Sequence, residues 1–323
     1  MLFNNASSNN TSQISTEGVV DISNSQELSN KTLSSTSSNE STLTISKSGD
    51  SSNTENSEFY GLNAAVLVQK ESEATIKDTT IKTSASGANA IFATEENAII
   101  NVSNTKITTT GDSSRGLDAT YGGTINANKV TINTNGQHCA AVATDRGEEL
   151  EHSVRLIQHL PFQKKSKVYE TSPMFFITNT DAVINLENTN LNYSSNPVSG
   201  NDGEWGSQGS NGGNLTFNAT NQTLNGNISV DAISTASFVL KSSTLTSTIN
   251  NENKAKEVDI SLDSSSKWIV TGDSYVTTLT LENNDLSLIE DHGYTIYYDS
   301  SASSWLNGQT ITLSYGGTLT PIQ

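Results

Sequence analysis

The sequence predicts an all-β fold: a right-handed parallel β-helix, or β-solenoid, with coils of about 19–26 residues and one short helical insertion. Two observations predict it: similar segments repeat along the chain, and apolar and polar residues alternate within each segment. The repeated segments open with GLNAAVLV (61–68), GANAIFAT (87–94), RGLDATYGG (115–123) and HCAAVATDRG (138–147). Such a period is typical of stacked repeats, in which each unit buries its apolar face against its neighbours.

The openings carry apolar residues at every second position, which indicates half-buried strands. We align them on one inward column, formed by Ala65, Ile91, Leu117 and Ala141. The same alignment places Asn63 beside Asn89, where the side-chain amides of adjacent coils can hydrogen-bond.

A second block follows each of the first three openings and is rich in Thr, Ile and Val, which suit a pleated strand. Two apolar columns run through these blocks: Ile76, Val102 and Ala127 in one, and Ile81, Ile107 and Ile132 in the other. We expect a third column to stack outward or at a corner: Thr83, Thr109 and Thr134. The blocks leave no room for crossover helices, so successive coils are expected roughly 4.8 Å apart.

The chain is predicted to have four parts. Residues 1–41 form a low-complexity segment or N-terminal cap, because Ser, Thr and Asn fill 27 of the first 50 positions. Residues 42–145 are the regular coils, and residues 146–172 are a charged insertion. Residues 173–323 are C-terminal coils that include a Gly-rich loop (200–213) and end in a cap.

The insertion is predicted to hold the one helix. Its apolar residues recur at helical spacing: Leu150, Val154, Ile157 and Leu160. Pro161 then ends the run. This pattern indicates a short amphipathic helix on the flank of the solenoid.

The charge of the chain argues against two kinds of partner. With 34 acidic and 17 basic residues, the net charge is −17, so no basic surface is expected to neutralise the phosphates of a nucleic acid. The same charge disfavours docking on anionic lipid, and no apolar run approaches the roughly 18 residues of a membrane helix. The first ten residues carry no apolar signal-peptide core, which leaves the export route open.

The stretch SLDSSSKWIVTGDSYVTTLTL (261–281) carries the pattern W-x-V-T-G-x-S followed by L-x-L. It resembles the coils of pertactin-like and haemagglutinin-like autotransporter passenger domains, and the repeats at 61–147 resemble those of bacterial adhesin-like β-helix proteins. This resemblance spans most of residues 42–320 as a style of repeat. It implies display outside the cell and attachment to host cells, neighbouring cells or matrix. It brings no catalytic residues, and we expect no anchoring through a C-terminal membrane barrel, whose pattern the sequence does not carry.

The candidate binding residues lie in the Gly-rich loop: Asp202, Glu204 and Trp205. An exposed Trp beside carboxylates can stack on a sugar ring, and the carboxylates can hold Ca²⁺. The alternative is that Trp205 packs on the solenoid beneath the loop.

Other polar residues are weaker candidates. The single cysteine, Cys139, excludes an internal disulfide and is expected to be a small buried residue. His152 and His159 do not have the spacing of a zinc site and are expected on a solvated charged segment. The dipeptide Asp145-Arg146 is expected to form a local ion pair. We therefore predict no catalytic residue, no metal site and no cofactor.

Three classes of function stay open. The first is a non-enzymatic surface or secreted adhesin-like protein, extracellular and monomeric, that binds a glycan or protein of a host or neighbouring cell. The second is a polysaccharide-active lyase or hydrolase, which needs acidic and basic groups in one cleft. The third is an ice-binding solenoid, which needs a flat array of regularly spaced threonines. We expect the first.

Overall fold

The computed structural model of the protein is a β-solenoid in which parallel strands of successive coils pair along three faces. It describes residues 45–51, 56–57, 59–136, 138–144, 174–178, 180–188 and 212–322. Outside these residues it describes only the backbone of the strands within 2–44, 145–157, 162–163, 191–192 and 198–200, and of residue 179.

Five strands come before the regular coils: β1 (Leu2–Phe3), β2 (Ser12–Ser15), β3 (Val20–Ile22), β4 (Lys31–Ser34) and β5 (Leu43–Lys47). Of these, β3 and β5 already pair in parallel, with Val20 opposite Leu43 and Ile22 opposite Ile45. Coil-like pairing therefore extends into the Ser-rich N-terminal segment.

Each regular coil has three strands. The first coil has β6 (Val66–Gln69), β7 (Glu73–Lys77) and β8 (Thr79–Thr83); the second has β9 (Ile91–Thr94), β10 (Ile99–Ser103) and β11 (Lys106–Thr109); the third has β12 (Leu117–Thr120), β13 (Thr124–Asn128) and β14 (Thr131–Thr134). At the corner between the second and third strands, the chain turns through one residue with a positive φ of 47–53°, which is Asp78, Asn104 or Lys129. Asn and Asp adopt this left-handed conformation more readily than most residues.

The middle of the chain has two long strands and three short ones: β15 (Val142–Ile157), β16 (Phe162–Gln163), β17 (Phe175–Glu187), β18 (Leu191–Asn192) and β19 (Val198–Gly200). The C-terminal part continues with β20 (Gly213–Thr220), β21 (Thr223–Asn225), β22 (Ile228–Val230), β23 (Thr235–Lys241), β24 (Thr244–Ser247), β25 (Glu257–Leu262), β26 (Lys267–Val270), β27 (Ser274–Val276) and β28 (Thr278–Leu281). It ends with β29 (Ile289–Glu290), β30 (Thr295–Tyr298), β31 (Ile311–Thr312) and β32 (Thr318–Pro321), and with the short 3₁₀ helices η1 (Glu282–Asn284), η2 (Leu286–Leu288) and η3 (Ser304–Leu306).

One face of the solenoid, which we call the second sheet, runs through nine consecutive strands: β7, β10, β13, β15, β17, β20, β23, β25 and β28. Its inward residues, such as Ile100, Ile125, Ile184 and Phe217, are buried in one continuous core. Its outward residues whose side chains are described are polar for the most part, so they offer hydrogen-bonding groups along this face.

The predicted apolar columns of the second blocks are confirmed by the strand register. It pairs Ile81, Ile107 and Ile132 in one column, and Ile76, Val102 and Ala127 in the other. The all-β solenoid predicted from the repeat is likewise confirmed. The right-handed sense and the four-part division of the chain stay predictions.

The predicted column of the openings is wrong by one residue at both ends. Ile91 pairs with Val66 rather than Ala65, and Leu117 pairs with Val142 rather than Ala141. The apolar alternation did not identify the inward residues correctly, because β6, β9 and β12 are almost entirely buried on both faces and neither face is polar throughout.

Residues 56–57 and 59–60 lie against the outer side of these strands and contact the second and third coils. Asn89 donates to the carbonyl of Ser57 at 3.1 Å, and Thr120 donates to the carbonyl of Phe59 at 2.7 Å. The predicted bond between the amides of Asn63 and Asn89 is therefore replaced by bonds to backbone carbonyls, since Asn63 donates to Gly49 at 2.9 Å.

The predicted helix is wrong over its described part. Val142–Ile157 is one strand, β15, which pairs with β12 and β13 on one side and with β17 on the other. Val154 lies opposite Ile125, and Leu156 lies opposite Ala127. The apolar residues fit both a helical and an alternating pattern, and pairing with two neighbouring coils selects the strand. The residues at 158–161 lie outside the described part of the chain.

The pattern W-x-V-T-G-x-S is explained by packing. Trp268 and Val270 are buried in the core on β26. The hydroxyl of Ser274 accepts the N–H of Ile249 at 3.1 Å and donates to the carbonyl of Gly272 at 2.9 Å. The Trp and Val of the pattern therefore fill part of the core, and its Ser hydrogen-bonds one coil to the next at a corner.

The threonine column is buried, so its predicted outward placement is wrong. The alternative placement at a corner agrees with the structure, because the three threonines are the last residues of β8, β11 and β14. Thr83, Thr109 and Thr134 are 2%, 0% and 0% exposed, and their hydroxyl oxygens have no hydrogen-bond partner among the described residues. A buried hydroxyl without a partner costs free energy relative to a methyl group of the same shape.

We predict that Thr109→Val stabilises the protein by about 1 kcal/mol, because valine keeps the shape and removes the unpaired hydroxyl. Thr108→Val is the matched control, since Thr108 is the half-buried neighbour that faces outward on the same strand. Chemical denaturation measures both. A Thr109→Val variant less stable than Thr108→Val would contradict the inward placement.

The C-terminal residues after β28, which we call the tail, cover the last strand of the second sheet. The N–H of Leu279 on β28 donates to the hydroxyl of Ser303 at 3.0 Å, and the indole of Trp305 donates to the carbonyl of Leu279 at 2.7 Å. The last strand thus has its central backbone groups satisfied by side chains, which protects an edge that could otherwise pair with another chain.

A buried carboxylate holds two turns of the tail together. Asp291 is 0% exposed, and its oxygens accept the N–H groups of Gly293 at 2.9 Å, Tyr315 at 2.9 Å and Gly317 at 2.6 Å. Burial alone would raise the pKa of Asp291, but these three N–H donors stabilise the carboxylate and hold its pKa below the usual value.

We predict that Asp291→Asn lowers the free energy of unfolding by about 1–3 kcal/mol, because one amide nitrogen then faces a backbone N–H. Since the folded pKa is lowered, the contribution of Asp291 is present above the unfolded pKa of about 3.9 and is lost as the pH falls through the folded value. Denaturation of both proteins at pH 7 and at pH 3 measures this.

The difference between the two proteins should be larger at pH 7 than at pH 3. The exposed Glu252→Gln, which removes a surface ion pair with Lys254, should leave the unfolding midpoint unchanged at either pH. An Asp291→Asn difference that grows at low pH would contradict the carboxylate's role.

Candidate functional site

Among the described residues, a cavity of about 460 Å³ lies on the outer face of the second sheet. It spans four consecutive strands, β17, β20, β23 and β25. Its outward lining side chains are Asp181, Val183, Asn214, Thr216, Thr235, Ser237, Glu257 and Asp259. We call this feature the groove.

Strand register places the groove residues in two columns that run across the strands. The first column is Asp181, Asn214, Thr235 and Glu257, and the second is Val183, Thr216, Ser237 and Asp259. Neighbours in a column lie on adjacent coils, about 4.8 Å apart. The alternation of β-strands explains the arrangement, because the residues between them, Ala182, Leu215 and Ala236, point into the core.

Side-chain hydrogen bonds fix part of the first column. Thr235 Oγ1 donates to Asn214 Oδ1 at 2.9 Å, and Asn214 Nδ2 donates to Asp181 Oδ1 at 2.7 Å. In the second column, Asp259 Oδ1 accepts the N–H of Thr278 at 3.0 Å. These contacts orient Asp181, Asn214 and Thr235 in the first column, and Asp259 in the second.

The groove is acidic and rich in hydrogen-bonding groups. Its described lining holds three carboxylates, an amide and three hydroxyls, and it includes neither Lys nor Arg. An anionic ligand would be repelled there. A ligand that presents many hydroxyl groups would instead find acceptors and donors at regular intervals.

The binding residues predicted from the sequence, Asp202, Glu204 and Trp205, lie outside the described residues, and so does His159. In the sequence, the loop with Asp202, Glu204 and Trp205 comes between β19 and β20, and Asn214 of the groove is on β20. For His152, Asp145 and Arg146 the structure describes only the backbone, all on β15. Their predicted roles therefore stay predictions.

Cys139 is buried, as predicted, at a corner of the third coil. Its Sγ donates to the carbonyl of Gly111 at 3.1 Å and accepts the N–H of Ser114 at 3.2 Å. The thiol thus joins coils as the hydroxyl of Ser274 does. Within the described part of the chain, no three His, Cys, Asp or Glu side chains are grouped closely enough to hold a metal ion.

A second candidate surface lies near the C-terminus, where the half-buried Tyr275 stacks on the half-buried Tyr297 with ring centroids 4.4 Å apart and an interplanar angle of 8°. Burial first, and then the nearby Tyr297 and Asp273, raise the pKa of Tyr275. This pair is a packed ladder between two coils. We prefer the groove as the candidate site because its polar groups converge on a concavity.

Sequence reasoning missed the groove residues, although a signal for them exists. Most residues at the outward-facing parity are polar in four segments: TDAVINLE (180–187), NLTFNAT (214–220), TASFVLK (235–241) and EVDISL (257–262). Finding the groove also requires the register between these strands, and the segments are separated by spacings that vary.

Comparison with models of known protein families found no match, and comparisons with curated proteins and with solved structures found none either. Within the described residues there is no helix with the length and apolar character needed to cross a membrane. The site and the fold therefore carry the functional argument.

Proposed function

We propose that the protein is a non-enzymatic, adhesin-like attachment protein that acts outside the cell and binds a carbohydrate in the groove. The observation that carries this proposal is the groove itself, in which hydroxyl, amide and carboxylate groups are held in two columns on a rigid sheet. The resemblance of the repeats to adhesin-like passenger domains supports the same proposal.

The composition of the groove favours carbohydrate over protein as the ligand. Protein interfaces have an apolar core rich in aromatic residues. The described groove lining has Val183 as its one large apolar side chain that faces outward, and no aromatic residue. Sugars bind through many hydroxyl groups, which match the acceptors on Asp181, Glu257 and Asp259.

A polysaccharide-active enzyme is the second candidate, and one observation favours it. Glu257 and Asp259 share the groove and lie two residues apart on β25, which separates their backbone positions by about 6.6 Å. Inverting glycosidases use a pair of carboxyl groups in one cleft as acid and base. The groove offers no basic side chain for a lyase mechanism among its described residues.

Ice binding finds less support. The threonines that suggested it, Thr83, Thr109 and Thr134, are buried. The outward columns on the same strands are interrupted by Lys82 and Lys106.

We predict that the protein binds glycans on an array and that the double variant Glu257→Gln/Asp259→Asn binds them at least about tenfold more weakly, because two charge-assisted hydrogen bonds are lost. The matched control is Glu71→Gln/Glu96→Gln, which removes two exposed carboxylates from adjacent coils outside the groove. This control should bind as the parent does.

The same bound glycans are then incubated with the protein and assayed for new reducing ends and unsaturated products. Binding without products supports the attachment function. Release of products that the groove variant abolishes would replace it with the enzymatic function. A blank array would refute carbohydrate binding. Fractionation of the producing cells tests the extracellular location.

A further inference from the structure

We infer that the carbohydrate of the groove is a linear, uncharged polymer that lies across the strands, parallel to the solenoid axis, with about one sugar ring per coil. This inference rests on the proposed function and specifies its ligand. Three features of the second sheet carry it: the direction in which its polar groups repeat, the way they are fixed, and their charge.

Polar groups on the second sheet repeat along the axis over more than the groove. Strand register extends the second groove column from Glu73 through Ile99 and Thr124 to Thr278, and its described members other than Ile99 and Val183 are polar. A parallel column on the same face has eight members whose side chains are described: Thr75, Asn101, Asn126, Asn185, Asn218, Val239, Ser261 and Thr280. Along a single strand, by contrast, the outward face offers only three or four positions.

Three side-chain amides on this face are oriented the same way. Each donates from Nδ2 toward the preceding coil: Asn126 to Asn101 at 2.9 Å, Asn218 to Asn185 at 2.9 Å, and Asn214 to Asp181 at 2.7 Å. Because these bonds join adjacent coils, they hold the amides in a polar array with a direction along the axis. A ligand that follows the axis meets groups that are already ordered, which reduces the entropy cost of binding.

The repeat distance suits a sugar polymer. Adjacent coils are about 4.8 Å apart, which is close to the length that one pyranose ring adds to an extended chain. From Asp181 to Glu257 the groove spans three coil spacings, about 14 Å. A polymer along the axis can therefore place successive rings against β17, β20, β23 and β25, and about four rings fill the groove.

The negative charge of the groove favours an uncharged polymer over an acidic one. Asp181, Glu257 and Asp259 line the groove without a Lys or Arg among the described lining residues. An acidic polysaccharide would bring carboxylates or sulfates against them, whereas the hydroxyl groups of an uncharged sugar donate to them.

Isothermal titration calorimetry tests the inference with three series of linear oligosaccharides of two to eight rings. Two series are uncharged, β-1,4-linked glucose and β-1,4-linked N-acetylglucosamine, and the third is oligogalacturonate. We expect the affinity for at least one uncharged series to rise about tenfold or more between two and four rings and then to level off. Oligogalacturonate of any length should bind more weakly.

A variant at one end of the groove tests the orientation. Asp181→Asn should weaken binding of oligomers of four or more rings about tenfold and binding of the disaccharide less than about twofold, because a short ligand can occupy the other coils. Asp78→Asn is the matched control: Asp78 accepts an amide of the next coil, from Asn104 at 3.0 Å, as Asp181 accepts that of Asn214. It should bind every oligomer as the parent does.

Equal affinity for two and eight rings would overturn the inference and leave the proposed function standing, since it would mean a pocket for one terminal sugar. Equal weakening of all lengths by Asp181→Asn, tighter binding of oligogalacturonate, or no binding of either uncharged series would also overturn it. The proposed function fails separately, through a blank glycan array.

Discussion

Every strand of a coil has backbone N–H and C=O groups on both edges, and these are satisfied only when the coils before and after it hydrogen-bond in register. This pairing between coils is the constraint on which the rest of the structure depends. It stacks identical positions into columns, so Ile81, Ile107 and Ile132 form core and Asn101 and Asn126 form an outward ladder. It also explains how a chain with 33% hydrophobic residues has a continuous core, since each coil needs apolar groups only on its inner side.

The same constraint determines where side chains must replace the regular backbone hydrogen bonds between coils. At corners, where the regular pairing is interrupted, small buried side chains such as Ser274 and Cys139 join one coil to the next. At the C-terminal end, where no further coil follows β28 in the second sheet, Ser303 and Trp305 satisfy Leu279. The groove has the same origin, because register brings Asp181 and Glu257 into one column although 76 positions separate them in the chain.

The sequence was informative where one face of a strand is exposed. In the second blocks, polar and apolar residues alternate and the predicted columns agree with the register. In the openings, residues 56–57 and 59–60 cover the outer face, so both faces of these strands are buried. Val66 and Ala65 were therefore equally plausible as inward residues, and the predicted alignment was shifted by one residue. On β15, the spacing of Val154 and Ile157 fitted a helix, and only pairing with β13 and β17 decides for a strand. The groove depends on register across four coils of unequal spacing, which a local pattern does not contain.

Disulfide trapping in the groove tests whether consecutive coils are stacked in this register. Thr216 and Ser237 lie opposite each other on β20 and β23, so their Cα atoms are within the range that a disulfide bridges. Val239 lies two residues further along β23, about 8 Å from Thr216, which is beyond that range. Under mild oxidation, we expect Thr216→Cys/Ser237→Cys to form an intramolecular disulfide, detected by mass spectrometry, and Thr216→Cys/Val239→Cys to form none. Cross-linking of the second pair and not the first, in proteins that remain folded, would contradict this register.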